Sequence, residues 1–184
     1  LRIIAGSAKK RLLKVPSGWT GRPTADRVKE SLFNILGNAI IDCRLLDLFA
    51  GTGNIGIEGL SRGASEVVFV EQDRRASSAI MHNLKMTGFE KKARVIIKDI
   101  YRALAELGDR GEKFDIVFLD PPYAKGYEVP VMLCLAETRM VSGGGLIIAE
   151  SSKREVMPPD VHGFSLIRQE RYGDTMLSFY KLMT

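Results

Sequence analysis

Leu45-Leu46-Asp47-Leu48-Phe49-Ala50-Gly51-Thr52-Gly53-Asn54-Ile55-Gly56 passes from an apolar run, through a glycine-rich turn, into a segment with helical spacing. Gly51, Gly53 and Gly56 fit the pattern G-x-G-x-x-G, and Glu71 follows twenty residues after Gly51. Such a turn lets a ligand approach the backbone closely, and a carboxylate at the next strand end can hold a ribose diol. Three readings meet here. The ligand is a dinucleotide, or it is S-adenosylmethionine, or the turn serves only to pack helix against strand. Asp47 disfavours the dinucleotide, because a pyrophosphate would sit beside a carboxylate. A sulfonium and an ammonium would be favoured by the same charge.

Outward from this stretch the pattern alternates. Leu45–Phe49, Val67–Val70, Val95–Ile97, Ile116–Leu119 and Leu146–Ala149 are short, apolar and rich in branched side chains. Helix-like stretches at 54–62, 73–87, 100–108 and about 127–140 lie between them. Strands apolar on both faces, separated by helices, predict a parallel sheet covered on two sides. Ser165–Glu170 and Met176–Leu182 flank Tyr172-Gly173-Asp174 with no helix between, which predicts a hairpin with at least one antiparallel strand. Seven strands are thus expected. Ahead of them, Arg2–Gly6 and Arg11–Val15 flank Ser7-Ala8-Lys9-Lys10 and predict a β-hairpin. Thr24 can cap a helix with Val28, Leu32, Ile35 and Leu36 on one face, ended by Gly37. This divides the chain into a basic hairpin and loop, 1–21, and an α/β domain, 22–184, that includes the helix.

Ligands of open parallel sheets sit beyond the carboxyl ends of the strands. Those ends hold the glycine loop, Glu71, Asp99 and Asp120-Pro121-Pro122-Tyr123. Asp99 can accept the adenine amine of a nucleoside cofactor, and it can equally cap the helix that starts at Ile100. The prolines after Asp120 lock the backbone and exclude a helix start there. The Asp120 carboxylate and the Pro121 carbonyl become two rigid acceptors beside the Tyr123 ring, suited to a flat amine with two N–H donors. An ordinary aspartate, with a pKa of about 3.9, is ionised at neutral pH, so no separate base is needed. A base within a stack would have to turn out to reach this point.

Composition sets the class. With 45% hydrophobic and 27% charged residues, the 184-residue chain is ordinary for a globular protein. It has no run of 18 apolar residues and no apolar stretch after Leu1, so a cytoplasmic protein without a membrane span is expected. Cys43 and Cys134 sit among apolar neighbours and read as thiols of a reducing compartment. With His82 and His162 they give no metal-ligand spacing. The charge is uneven. Residues 1–44 carry a net +6 and the other 140 a net −1, which suggests a polyanion partner for the N-terminal quarter. Arg22 and Arg27 can also pair with nearby acids. Trp19 reads as a stacking ring or as a plug, His82 as a surface residue, and Glu150 as a structural acid.

The motifs together resemble the RsmD-type bacterial 16S rRNA (guanine-N2)-methyltransferases. The resemblance rests on Asp47 to Gly53, on Asp120 to Tyr123, on Arg22-Pro23-Thr24-Ala25-Asp26-Arg27 continuing to Asn34, and on Arg2-Ile3-Ile4-Ala5-Gly6. Arg171 to Thr175 extends it nearly end to end. It implies a Rossmann-like class I methyltransferase fold that methylates the N2 amine of guanine 966 in small-subunit rRNA. By position, Asp47, Gly51, Gly53, Glu71, Asp99 and Ile100 would hold S-adenosylmethionine, while Asp120, Pro121, Pro122 and Tyr123 would hold the base. Lys9, Lys10, Arg11, Arg22, Thr24 and Arg27 would meet 16S rRNA, within the small subunit or an assembly intermediate. A monomer is expected. Asp-Pro-Pro-Tyr is shared with DNA adenine methylases, so a DNA adenine-N6 methyltransferase stays open as an alternative, as does a non-catalytic RNA-binding assembly factor.

Overall fold

Each apolar run is short and branched and each gives a strand, four of them largely buried and the third, around Val95, only partly so. The computed structural model describes residues 1–183. In it β1 (Arg44–Leu48), β2 (Glu66–Val70), β3 (Ala93–Ile96), β4 (Phe114–Leu119) and β5 (Val141–Ser152) are parallel. β6 (Asp160–Val161), β7 (Phe164–Tyr172) and β8 (Thr175–Leu182) pair antiparallel. The strand order is β3-β2-β1-β4-β5-β8-β7-β6. The chain leaves β1 towards β2 on one side and later returns to β4 on the other, so the carboxyl ends of β1 and β4 flank the crevice where connections diverge.

Helices α1 (Asp26–Leu36), α2 (Asn54–Ser61) and α3 (Arg74–Thr87) share one apolar core with the N-terminal residues Ile3, Ala8 and Leu13. α4 (Ile100–Asp109) and α5 (Glu128–Glu137) pack in a second core. The sheet is the middle layer. Among the described residues no helix is long and apolar enough to cross a membrane.

The structure departs from expectation at three places. Among the described residues the sheet has eight strands, because β6 adds two residues at the edge, too few to show any periodicity. The opening hairpin is held by the single bridge Arg2–Leu12 and a few backbone bonds, including Ile3 N to Arg11 O at 2.9 Å. Thr24 does not cap α1. Ala25 occupies that position without a side-chain bond, and Thr24 Oγ1 donates instead to Glu150 Oε2 at 2.7 Å.

Candidate active site

Beyond β1 the backbone turns through Gly51 (φ +58°) and Gly53 (φ +82°), and Gly53 stands at the start of α2. Two carboxylates brace this turn. Gly56 N donates to Asp47 Oδ2 at 2.9 Å, while Gly51 N donates to Glu71 Oε2 at 2.8 Å. The other Glu71 oxygen accepts from Asp73 N at 2.8 Å. Asp47 is fully buried. Burial, and then the charge of Glu71, push its carboxyl up to about 8 against the pull of the Gly56 N–H. It is therefore mostly protonated at neutral pH, and the full negative charge expected of it is absent.

A cavity of about 350 Å³ opens next to the turn, within the roughly 300–1,000 Å³ typical of small-molecule sites. Gly51, Glu71, Asp99 and Ile100 line one part, and Asp120, Pro121 and Pro122 line another. Trp19 to Arg22 close it from the N-terminal segment. Asp47 and Gly53 do not reach this cavity; Asp47 and Thr24 line a smaller recess beside it that shares Trp19, Gly51 and Asp120. Asp99 Oδ1 accepts from Tyr101 N at 3.1 Å and Arg102 N at 3.2 Å, so it caps α4. Its Oδ2 has no partner among the described residues, which leaves the second reading of Asp99 compatible with the first.

At the tip of β4, burial and the nearby charge of Glu150 hold the Asp120 carboxyl well above the usual carboxylate range, against the lowering effect of Arg22. The expectation of an unperturbed Asp120 is corrected accordingly. Glu150, itself buried and raised by that burial, accepts from Thr24 and from the Tyr123 hydroxyl at 3.3 Å. The Arg22 guanidinium lies 5.8 Å from the Tyr123 ring centroid, a cation–π arrangement. Tyr123 flanks Asp120 without lining the cavity. Tyr127 does line it, and its ring stands 5.2 Å from that of Phe49. Sequence reasoning missed this aromatic wall and the coupling of Glu150 to Asp120. An acid directly after the apolar run Leu146–Ala149 was the only available signal for the latter.

The basic residues are not gathered at the cavity. Of those expected to meet RNA only Arg22 lines it, while Lys98, not singled out in the sequence, lines it as well. Arg27 is exposed on α1, and Lys9, Lys10 and Arg11 are exposed on the arm, where the Arg11 guanidinium donates to Met86 O. The arm itself is fastened: Ile4 N and Ala5 N donate to Glu58 at 2.9 and 3.0 Å, and Ala8 N donates to Ser61 Oγ at 3.0 Å.

A family model described as Conserved hypothetical protein 95 matches residues 1–181. Ribosomal RNA small subunit methyltransferase D of Escherichia coli K12 is 35% identical over 181 residues, which cover 98% of this chain and 89% of that protein. The Bacillus subtilis protein YlbH is 40% identical over 98% of both chains. The chain belongs to the RsmD family of methyltransferases. Its RsmD fold superposes on the solved Escherichia coli protein yhhF with a TM-score of 0.86, at 35% identity and over 99% of this chain and 97% of that one. The arm and α1 are therefore part of what the RsmD family shares, as is the methyltransferase sheet.

Proposed function

We propose that this RsmD-family protein methylates the exocyclic N2 amine of a guanine in small-subunit rRNA, using S-adenosylmethionine as donor. Relatives named as small-subunit rRNA methyltransferases support the rRNA substrate. Guanine 966, and an assembling small subunit as its setting, are what the family resemblance implies. The observation that carries the reading is one cavity onto which Glu71, Asp99, Asp120 and Pro121 all open.

The residues fit the donor. Glu71 would take the ribose hydroxyls, Asp99 Oδ2 the adenine amine, and Phe49 and Ile100 the faces of the base. Gly51 permits close approach of the backbone, with Asp47 and Gly53 shaping the turn beneath. When bound, S-adenosylmethionine supplies an electrophilic methyl group on a sulfonium.

An amine conjugated to a purine is a weak nucleophile. Asp120 Oδ and the Pro121 carbonyl would each accept one of its N–H groups, which favours a pyramidal nitrogen and stabilises the positive charge that develops on it. Asp120 then suits a further task. Burial and Glu150 raise its proton affinity, so its ionised carboxylate is a better acceptor for the proton the amine gives up. Tyr123, held by Glu150 beside Asp120, would stack on the base in place of the Arg22 guanidinium that lies over its ring. Holding amine and donor in line can supply about 7–11 kcal/mol of barrier lowering, and the fixed acceptors add to it.

Digestion of rRNA methylated by the purified protein should yield N2-methylguanosine. N6-methyladenosine would overturn the guanine assignment. Asp120→Ala should lower turnover by about 10²–10³-fold, with S-adenosylhomocysteine affinity by calorimetry within a few-fold of wild type. Near wild-type turnover would remove Asp120 from the mechanism.

A further inference from the structure

Outside the catalytic cavity, a groove of about 580 Å³ runs between the N-terminal arm and α3. Lys14 and Ser17 line one wall, and Arg74, Arg75, Ser78 and His82 line the other. α3 contains no acidic residue. Asp73, just ahead of it, forms a long ion pair with Arg75 at 3.7 Å, whereas Lys14 and Arg74 have no acidic partner among the described residues. The groove is therefore strongly positive and rich in donors.

The groove is also built to a set width. Asn83, fully buried, accepts from Lys14 N at 2.7 Å and donates to Lys14 O at 3.1 Å. The same amide group reaches Thr52 O at 3.3 Å in the glycine loop. Arm, α3 and loop are thus clamped at one buried side chain, and the cations above it face a preformed channel. The α3 N-terminus plays no part in binding an anion, because Asp73 already accepts from Arg75 N and Ala76 N. Any anion must be met by side chains.

Continuity with the catalytic cavity points to the occupant. The segment from Lys14 to Arg22 lines this groove at its start, through Lys14, Pro16 and Ser17. At its end, through Trp19, Thr20, Gly21 and Arg22, it lines the cavity that holds Asp120. A strand whose nucleotide occupied that cavity could lay its flanking backbone along the same segment. Three cations and two hydroxyls surround the small side chains of Pro16 and Ala79, and that donor set suits phosphodiester oxygens. We propose that the groove between the arm and α3 holds the phosphates flanking the target nucleotide, with Lys14, Arg74 and Arg75 as the cations that meet them. This rests on RNA being the substrate.

The triple variant Lys14→Ala/Arg74→Ala/Arg75→Ala removes charges at exposed positions and leaves Asn83 in place. Its binding to a fluorescein-labelled single-stranded oligoribonucleotide, followed by anisotropy across salt concentrations, tests the proposal. Each phosphate contact contributes about −0.7 to the slope of log Kobs against log salt for a single strand. The variant should lose about two units of slope and at least about tenfold in affinity near 0.1 M salt. KM for the RNA should rise with kcat retained, and S-adenosylhomocysteine affinity should stay as in wild type. Arg74→Lys should keep most of the slope, since a point charge suffices. Wild-type affinity and slope in the triple variant would overturn the groove while leaving the RNA reading intact. A parallel loss of cofactor affinity would show a structural role and overturn it too. A wild-type protein that binds no RNA would remove both readings.

Discussion

Asp47 shows how far a residue's setting can move it from its reading in isolation. It is a carboxylic acid one residue before the end of β1, yet burial leaves it nearly neutral, with one oxygen committed to Gly56 N. Its folded value of about 8 lies above the unfolded value of about 3.9, so folding takes up a proton between them. The stability that this uptake contributes is full below about pH 4 and is lost as pH rises through the folded value, at up to about 1.4 kcal/mol per pH unit. Asp47→Asn should keep an acceptor for Gly56 and lose the ionisation. Urea midpoints measured between about pH 5 and 8 should therefore fall in wild type and fall much less in the variant. Parallel curves would mean that Asp47 is ionised in the folded protein. Glu71, Asp99 and Asp120 were legible in the sequence because each closes an apolar strand at a recognisable spacing. The partners of Glu150 and Thr24, and the place of Tyr127 on the cavity wall, were not, because they depend on which segments become neighbours. Thr24 meets Glu150 across 126 positions of chain, and no local pattern carries that.

At the scale of elements, the third glycine of the loop motif separates two roles that the sequence leaves merged. A Cβ on Gly56 would come within 2.2 Å of the Phe69 ring and 2.8 Å of Val67. α2 thus lies against β2 at a distance only a bare backbone allows, so the packing reading of this glycine holds alongside any role in ligand binding. Gly56→Ala must displace the ring or lift the helix, and overpacking of this kind costs about 1–3 kcal/mol. Urea unfolding should report that loss; an unchanged midpoint would show that α2 yields freely. The alternation of strands and helices was legible because β1, β2 and β4 are buried over most of their length, which writes each as a short, mostly apolar run. The cap of α1 was misassigned for the opposite reason. A threonine before a helix has a local use and a distant one, and here the buried Glu150 carboxylate wins it.

For the whole molecule, the decisive joint is a buried polar cluster that ties the arm to the sheet layers. Lys29 of α1 and Glu58 of α2 are fully buried and 3.4 Å apart. The Lys29 ammonium also donates to Arg2 O at 2.6 Å and to Asn54 Oδ1 at 2.7 Å. Glu58 meanwhile receives Ile4 N and Ala5 N. Burial lowers the pKa of Lys29, and the Glu58 charge opposes that shift. Glu58, which also pairs with Arg62 at 2.8 Å, thus holds the arm's backbone, α1 and the helix behind the glycine loop together. Glu58→Ala would strand a buried ammonium and leave two backbone N–H groups without acceptors, at a cost of about 3–5 kcal/mol. The arm should loosen first, since its backbone loses two of its anchors. Limited trypsin digestion should then cut at Lys9, Lys10 or Arg11 well before the sheet domain is degraded. Adding Lys29→Met to Glu58→Ala removes the stranded charge, so the double variant should regain part of the lost stability while the arm stays open to trypsin. Cleavage of the arm at the wild-type rate in both variants would show that its apolar contacts, through Ile3, Ala8 and Leu13, hold it without the ion pair.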